Sequence, residues 1–173
     1  MPKYIAIAAI TLDGRIATNK TQLSFDWTSR EDKRWFKQSL KPADVIIIGR
    51  HTFETIKNNK FKRHYLVLTS RVKVMEQKLP NVWFCNPKAL NIRQLILKKG
   101  YKHVAIVGGS IVYGYFLEKG WLDELYLTLE PLAFGGGISL FETKKIKQYK
   151  FQLAQVKKLN QRGTLLLKYK KLR

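Results

Sequence analysis

The fold of this 173-residue chain is restricted most by a series of short, continuous apolar runs separated by helix-like stretches. "YIAIAAI" (Tyr4 to Ile10), "DVIIIG" (Asp44 to Gly49), "YLVLTS" (Tyr65 to Ser70), "NVWFC" (Asn81 to Cys85) and "HVAIVGG" (His103 to Gly109) are apolar along their length rather than at alternate positions. That is the pattern of strands covered on both faces. Helical periodicity fills the gaps, over Arg30 to Leu40, His51 to Lys57, Pro87 to Lys99 and Ser110 to Lys119. Such alternation predicts an α/β fold with a mostly parallel central sheet and helices on both faces. The end of the chain differs. "ELYLTLEP" reads as one more strand and "FGGG" as a turn, while "YKFQLAQVKKL" and "TLLLKYKKL" flank "NQRG" as an antiparallel hairpin closing one sheet edge. Lysines on that hairpin discourage edge-to-edge association. The length fits a single domain over residues 1–173.

Composition narrows the function classes. The longest apolar runs are far shorter than the roughly 20 residues of a membrane span, and the N-terminus lacks the charged and apolar segments of a secretion signal. The single cysteine, Cys85, leaves no internal disulfide to form, so a cytoplasmic protein without membrane contact is expected. Cys85 itself reads as an inert buried thiol. Lys and Arg number 33 against 12 Asp and Glu, a formal charge of +21. That charge fits nucleic-acid binding, capture of small anions, or a solvated coat. The lysines run from Lys3 to Lys171, densest in "KKIKQYK", which reads as solvated surface. No metal site is expected, because His51, His64 and His103 form no ligand-spaced pair. No GxSxG elbow is present either.

In open α/β sheets ligands bind beyond the carboxyl ends of the strands, where helices begin. Three such ends here suit phosphate. Gly49-Arg50-His51-Thr52 combines a turn-permitting glycine, a cation and a hydroxyl. Thr69-Ser70-Arg71 offers two hydroxyls and a guanidinium, and Gly108-Gly109-Ser110 permits close backbone approach. Together they favour a large, multiply phosphorylated ligand such as a dinucleotide, although GxGxxG and the P-loop are both absent.

A further oddity lies in "DWTSREDKRWFKQSL", Asp26 to Leu40. On a helix, Asp32 shares the face of Trp35, Phe36 and Leu40. It serves as the capping-box partner of Ser29, or it serves a ligand, with Thr28 and Glu31 supplying the same box one residue earlier. A carboxylate among aromatic rings costs several kcal/mol unless paired. A flat heterocycle with adjacent N–H groups would pair it.

Trp27 and Asp32, "WFK", "IIIGRHTFETI", "KRHYLVLTS", "IVGGSIVYGYF" and "DELYLTLEP" follow one another as in dihydrofolate reductase, and over nearly the whole chain the sequence resembles that family. The resemblance implies reduction of 7,8-dihydrofolate to tetrahydrofolate by hydride from NADPH. Asp32, with Trp27 and Thr128, would form the catalytic group, Asp32 holding the pterin 2-amino group and N3. Ile7, Ala8, Phe36 and Tyr113 would line the substrate site, and Arg63 would grip the glutamyl carboxylate. NADPH would meet Ala9, Ile16, Gly49, Arg50, His51, Thr52, Thr69, Ser70 and Arg71. It would also meet Val107, Gly108, Gly109, Ser110, Ile111 and Val112, with Gly108 and Gly109 matching a pair joined by a cis peptide in that family.

Other segments look different. "TLDGRIA" and "LEKGWLDELYLTLEPLAFGGGISLF" resemble the reductase domain of riboflavin biosynthesis, whose fold is the same. The segment between Ile16 and Trp27 is longer than the mobile loop of dihydrofolate reductases. Arg30 and Lys33 replace a usual proline and an apolar residue, and Asn59 and Lys60 occupy a rim that is usually apolar, with Phe61 a substitute. The alternative activities are therefore 5-amino-6-(5-phosphoribosylamino)uracil reduction or another pterin reduction. A basic nucleic-acid-binding protein on the same fold is the rival of another class, with no specific nucleic acid expected. The resemblance allows a monomer or a homodimer.

Overall fold

The computed structural model describes residues 1–56 and 61–172. Lys57, Asn59 and Lys60 lie outside the described residues, and the helix expected over His51 to Lys57 runs over Arg50–Glu54, with Thr55 as its C-cap. The elements are β1 (Lys3–Ile10), β2 (Arg15–Ala17), α1 (Arg30–Ser39), β3 (Val45–Gly49), α2 (Arg50–Glu54), β4 (His64–Leu68), β5 (Met75–Leu79) and β6 (Val82–Cys85). They continue with α3 (Ile92–Lys98), β7 (His103–Ile106), α4 (Ser110–Glu118), β8 (Glu124–Leu129), β9 (Ile138–Ser139), β10 (Phe151–Lys158) and β11 (Leu165–Lys171). Nine strands form one sheet in the order β10-β11-β8-β1-β7-β3-β4-β6-β5. From β8 to β6 every neighbouring pair is parallel. The antiparallel pairs lie at the edges, β5 on β6 and the β10–β11 hairpin on β8.

The continuous apolar runs become the central strands because each face of the sheet is covered. Along β1 the side chains divide by parity: Tyr4, Ala6 and Ala8 pack with Ile92 and Ile96 of α3 and Phe116 of α4. Ile5 and Ile7 pack toward Trp35 and Phe36 of α1 and Leu40 just after it. Phe53 of α2 closes a third cluster with Ile48, Val67 and Val82. Strands buried this way have no polar side to present, which is why they read as unbroken apolar runs.

Three differences from the sequence reading have local causes. The helix expected from Pro87 begins only at Ile92, because the Asn91 side chain accepts from the Gln94 amide and fixes the cap there. The Asn86 side chain accepts from the Lys88 amide in a separate turn before it. β5 carries no apolar alternation, being an exposed edge strand held by backbone pairing to β6. β2 and β9, three and two residues long, form a small separate sheet too short to leave a periodic signal. The hairpin stands as expected, and β10 is exposed along nearly its whole length. No helix among the described residues is long and apolar enough to cross a membrane.

Candidate functional site

The carboxyl ends of the parallel strands open into one cleft of about 1110 Å³, bounded by β1, α1, β3, α2, the end of β4, α4 and the segment from Ile16 to Phe25. Its phosphate-suited end is assembled from the three strand ends singled out above. Gly49, Arg50, His51 and Thr52, after β3, stand between Thr69, Ser70 and Arg71 after β4 and Val107, Gly108, Gly109, Ser110, Ile111 and Val112 after β7, all lining the cleft. The Gly108–Gly109 peptide is cis, and Gly108 has φ +140, which an L side chain rarely adopts. A Cβ there would stand 3.3 Å from the Thr52 side chain, and one at Gly49 would stand 3.2 Å from Val112. The glycines let strand end and helix start approach closely, leaving backbone and hydroxyls to face the cleft. Such a cradle suits the phosphates of a dinucleotide.

At the other end Asp32 lines the cleft with Ile7, Ala8, Trp35, Phe36 and Leu40. It is 4 % exposed and is the one fully buried residue of α1. The choice between capping and ligand binding is visible in the hydrogen bonds. Ser29 is the N-cap, and its hydroxyl accepts from the Asp32 amide at 3.2 Å. The reciprocal half of the box is missing, because the Ser29 backbone N–H donates instead to Glu130 Oε1 at 2.8 Å. Glu31, the other capping candidate, accepts from Asn160. The Asp32 carboxylate is thus left to the cleft.

Burial pushes the pKa of Asp32 above the ordinary carboxylate value. The hydroxyls of Thr128 and Thr28, which face it, act in the opposite direction; the charge of Glu130 raises it further and Lys33 lowers it. Neither threonine hydroxyl completes a hydrogen bond within the described residues, and the buried Trp27 indole N–H is likewise unpartnered. The carboxylate and the two unsatisfied threonine hydroxyls beside it form a place where a polar guest or a water would be held.

The structure brings most of the sequence-derived candidates together. Ile7, Ala8, Ala9, Ile16, Asp32, Phe36 and Tyr113 line the cleft, as do the phosphate-end residues. Tyr113 is buried, its hydroxyl donating to the Ile7 carbonyl at 2.7 Å. Trp27 and Thr128 are not among the lining residues: Thr128 is fully buried, and Trp27 stands edge-on to Phe134 at 5.2 Å. Arg63 does not line the cleft; its charge acts on Tyr65, which does. The β4 segment therefore sends Tyr65 rather than Arg63 inward. Cys85 is fully buried, and desolvation pushes its thiol up to about 12, so it carries no thiolate at neutral pH.

Sequence reasoning missed Glu130, which is 3 % exposed. The available signal was the same as for Asp32, an acid closing an apolar strand in "LTLEP". It also missed the wall built by Asn19, Lys20, Gln22, Ser24 and Phe25. There the Asn19 and Gln22 side chains staple residues 18–22 through bonds to Thr18, Thr21 and the backbone. Phe25 stands edge-on to Phe36 at 5.8 Å across the mouth. Glu142, from the segment after β9, meets Ser110 Oγ at 3.2 Å beside the phosphate cradle.

Among the known proteins similar to this chain are one of uncharacterised function, riboflavin-type reductases and dihydrofolate reductases. The Bacillus subtilis (strain 168) protein YwjB, whose function is uncharacterised, is 26 % identical over 148 residues, 80 % of this chain and 82 % of that protein. The dihydrofolate reductase of Buchnera aphidicola subsp. Schizaphis graminum (strain Sg) is 30 % identical over 103 residues, 59 % of this chain and 58 % of that one. Among solved structures, a pyrimidine reductase-like protein of Corynebacterium diphtheriae superposes with TM-score 0.81 at 17 % identity, covering 99 % of this chain and 92 % of that one. The deaminase/5-amino-6-(5-phosphoribosylamino)uracil reductase of Thermotoga maritima gives 0.73 at 16 % identity, over 99 % of this chain and 57 % of that chain. The dihydrofolate reductase of Enterococcus faecalis, solved with NADP(H), gives 0.66 at 21 % identity, over 99 % and 97 %. The likeness to dihydrofolate reductase thus holds for the fold, while the family lies with the riboflavin-type segments noted in the sequence. With residues 2–165 matching the family described as the RibD C-terminal domain, this protein belongs to that family.

Proposed function

We propose that this protein is an NADPH-dependent reductase of a phosphoribosylamino-pyrimidine, the reaction class of the riboflavin-type relatives. The observation that carries the reading is the buried Asp32 carboxylate opening into the same cleft as the glycine-lined phosphate cradle. NADPH, when bound, would supply the hydride. Gly49, Gly108 and Gly109 would admit its phosphates to the backbone, with Arg50 and Arg71 supplying positive charge. Asp32 would accept hydrogen bonds from neighbouring ring N–H groups and so fix the substrate. The bond reduced is a carbon–nitrogen double bond, here the open imine form of the ribosylamine: hydride goes to carbon and a proton to nitrogen. Thr28 and Thr128, beside the carboxylate, would hold the water that passes this proton.

Asp32 also selects between ring forms. A pyrimidinone with an amino group at C2 offers two parallel N–H donors to a carboxylate, whereas a uracil turns a carbonyl oxygen toward it and leaves like partial charges facing. The preferred substrate is therefore the 2-amino ring.

Dihydrofolate is the second reading, because its pterin carries the same 2-amino edge and a dihydrofolate reductase is among the curated relatives. The test is NADPH oxidation with 2,5-diamino-6-(5-phosphoribosylamino)pyrimidin-4-one, its uracil counterpart and dihydrofolate side by side. Faster turnover of the diamino ring than of either other substrate is expected. Turnover of dihydrofolate alone would move the protein to the second reading, and turnover of none would end both.

A further inference from the structure

Ser29-Arg30-Glu31-Asp32 has the spacing of a capping box, in which the fourth residue's carboxylate accepts from the N-cap N–H. That donor is already occupied. Glu130, just beyond β8, accepts it with one oxygen, and with Oε2 accepts the Thr164 hydroxyl at 2.7 Å. Thr164 lies before β11, where Asn160 Nδ2 bridges its hydroxyl at 2.9 Å and Glu31 Oε2 at 3.2 Å. No cation pairs with Glu130 among the described residues. The two donors and the positive end of the α1 dipole hold it there.

We propose that Glu130 is a positioning residue for Asp32, occupying the Ser29 backbone donor so that the Asp32 carboxylate stays in the cleft. One N–H cannot satisfy two carboxylates along its axis. Without Glu130, the nearest acceptor is Asp32 itself, three residues on. Turning to the cap would satisfy the donor and bring its charge to the helix end, out of the desolvated cleft. The β8 terminus and the C-terminal hairpin thereby set the direction of the group that reads the substrate. This inference rests on the reading of Asp32 as the substrate-binding carboxylate.

The groups whose charge reaches Asp32 are Glu130, just beyond β8, and Lys33 from its own helix. Losing the negative charge of Glu130 therefore lowers the pKa of Asp32. The experiment follows the side-chain carboxyl carbon of Asp32 by NMR titration in the wild type, E130Q and E130A, with NADPH affinity and steady-state kinetics beside it. In E130A, kcat/KM should fall about 10- to 100-fold while NADPH affinity stays within about twofold. E130Q keeps an acceptor for Ser29 and should recover most of that loss, with Asp32 titrating at lower pH than in the wild type. Wild-type turnover in E130A with an unmoved Asp32 titration would overturn the proposal. So would E130Q as impaired as E130A with Asp32 titrating as before. Should E130A not fold, the E130Q titration decides. If the wild type reduces none of the three substrates, the functional reading fails while the titration still reports on Glu130.

Discussion

Arg50 Nη1 reaches both carboxylate oxygens of Glu54, one turn along α2, at 2.6 Å. Its Nη2 lies 2.7 Å from His51 Nε2. A cation of the proposed phosphate cradle is thus held by its own helix, and on the proposed reading would be shared with an incoming phosphate. Glu54 is half exposed, so the pair is worth only about 0.3–0.5 kcal/mol. E54Q should tighten NADPH binding by about twofold at low salt, with the difference gone at high salt. Fluorescence titration at two ionic strengths checks this.

Arg71 has no such partner among the described residues' ion pairs, and its backbone N–H is fixed by Thr69 Oγ1 at 3.1 Å. A hydrogen bond to a charged group contributes about 1.5–3 kcal/mol. R71A should weaken NADPH about tenfold or more and NADH much less, if the guanidinium reads the extra phosphate. Equal losses for the two cofactors would place Arg71 elsewhere.

D32N should cut neutral-pH turnover about 100-fold and leave NADPH affinity within about twofold. It should also be the more stable protein at neutral pH. The native pKa of Asp32 is raised above 3.8, so the folded chain holds this proton more tightly than the unfolded one. Stability associated with the group is full below the ordinary value, declines as pH rises through the native pKa, and is level above it. The melting temperature of D32N should therefore exceed that of the wild type at pH 7 by about 2–4 °C, the shift for about 1 kcal/mol in a chain of this size. The gain should disappear near pH 3. A D32N protein less stable than the wild type at pH 7 would mean that the carboxylate has a partner in the fold.

A Cβ at Gly114 would overlap the Glu142 backbone carbonyl, which packs directly on α4. Backbone cannot yield as a flexible side chain can, so G114A should cost about 1–3 kcal/mol or more. Because Glu142 N–H also bonds the Ser110 carbonyl at 3.2 Å, NADPH affinity should fall with it. Thermal melts and cofactor titration measure both.

R63A is expected to leave turnover of dihydrofolate and of a pterin lacking the glutamyl tail within about twofold of wild type, since Arg63 is not among the lining residues. A loss confined to the tailed substrate would restore the role that the sequence resemblance assigned to it.

The parallel sheet was legible because burial on both faces removes polar residues from β1, β3, β4, β6 and β7, leaving a mark in each strand separately. Helix α1 was legible to within one residue, since Ser29 caps it and its aromatic face repeats. The meeting of Gly49-Arg50-His51-Thr52, Thr69-Ser70-Arg71 and Gly108-Gly109-Ser110 in one cleft was legible for a related reason: each turn follows a strand, and strand direction alone brings them to one edge. β2, β5 and β9 left no such trace, being held by neighbours distant in sequence.

The chain by itself determined that Asp32 stands on the apolar face of a helix, because helical periodicity is local. What that carboxylate is available to do was decided only in three dimensions. The donor that would have drawn it into a cap is taken by Glu130, 101 residues from Ser29. In the same way "KRHYLVL" offered both Arg63 and Tyr65 for the cleft, and the packing of β4 against β3 and β6 sends in the tyrosine. Local pattern fixes which side chains can share a face. Competition for a single backbone proton, and the register of one strand against its neighbours, are settled only by contacts between distant segments.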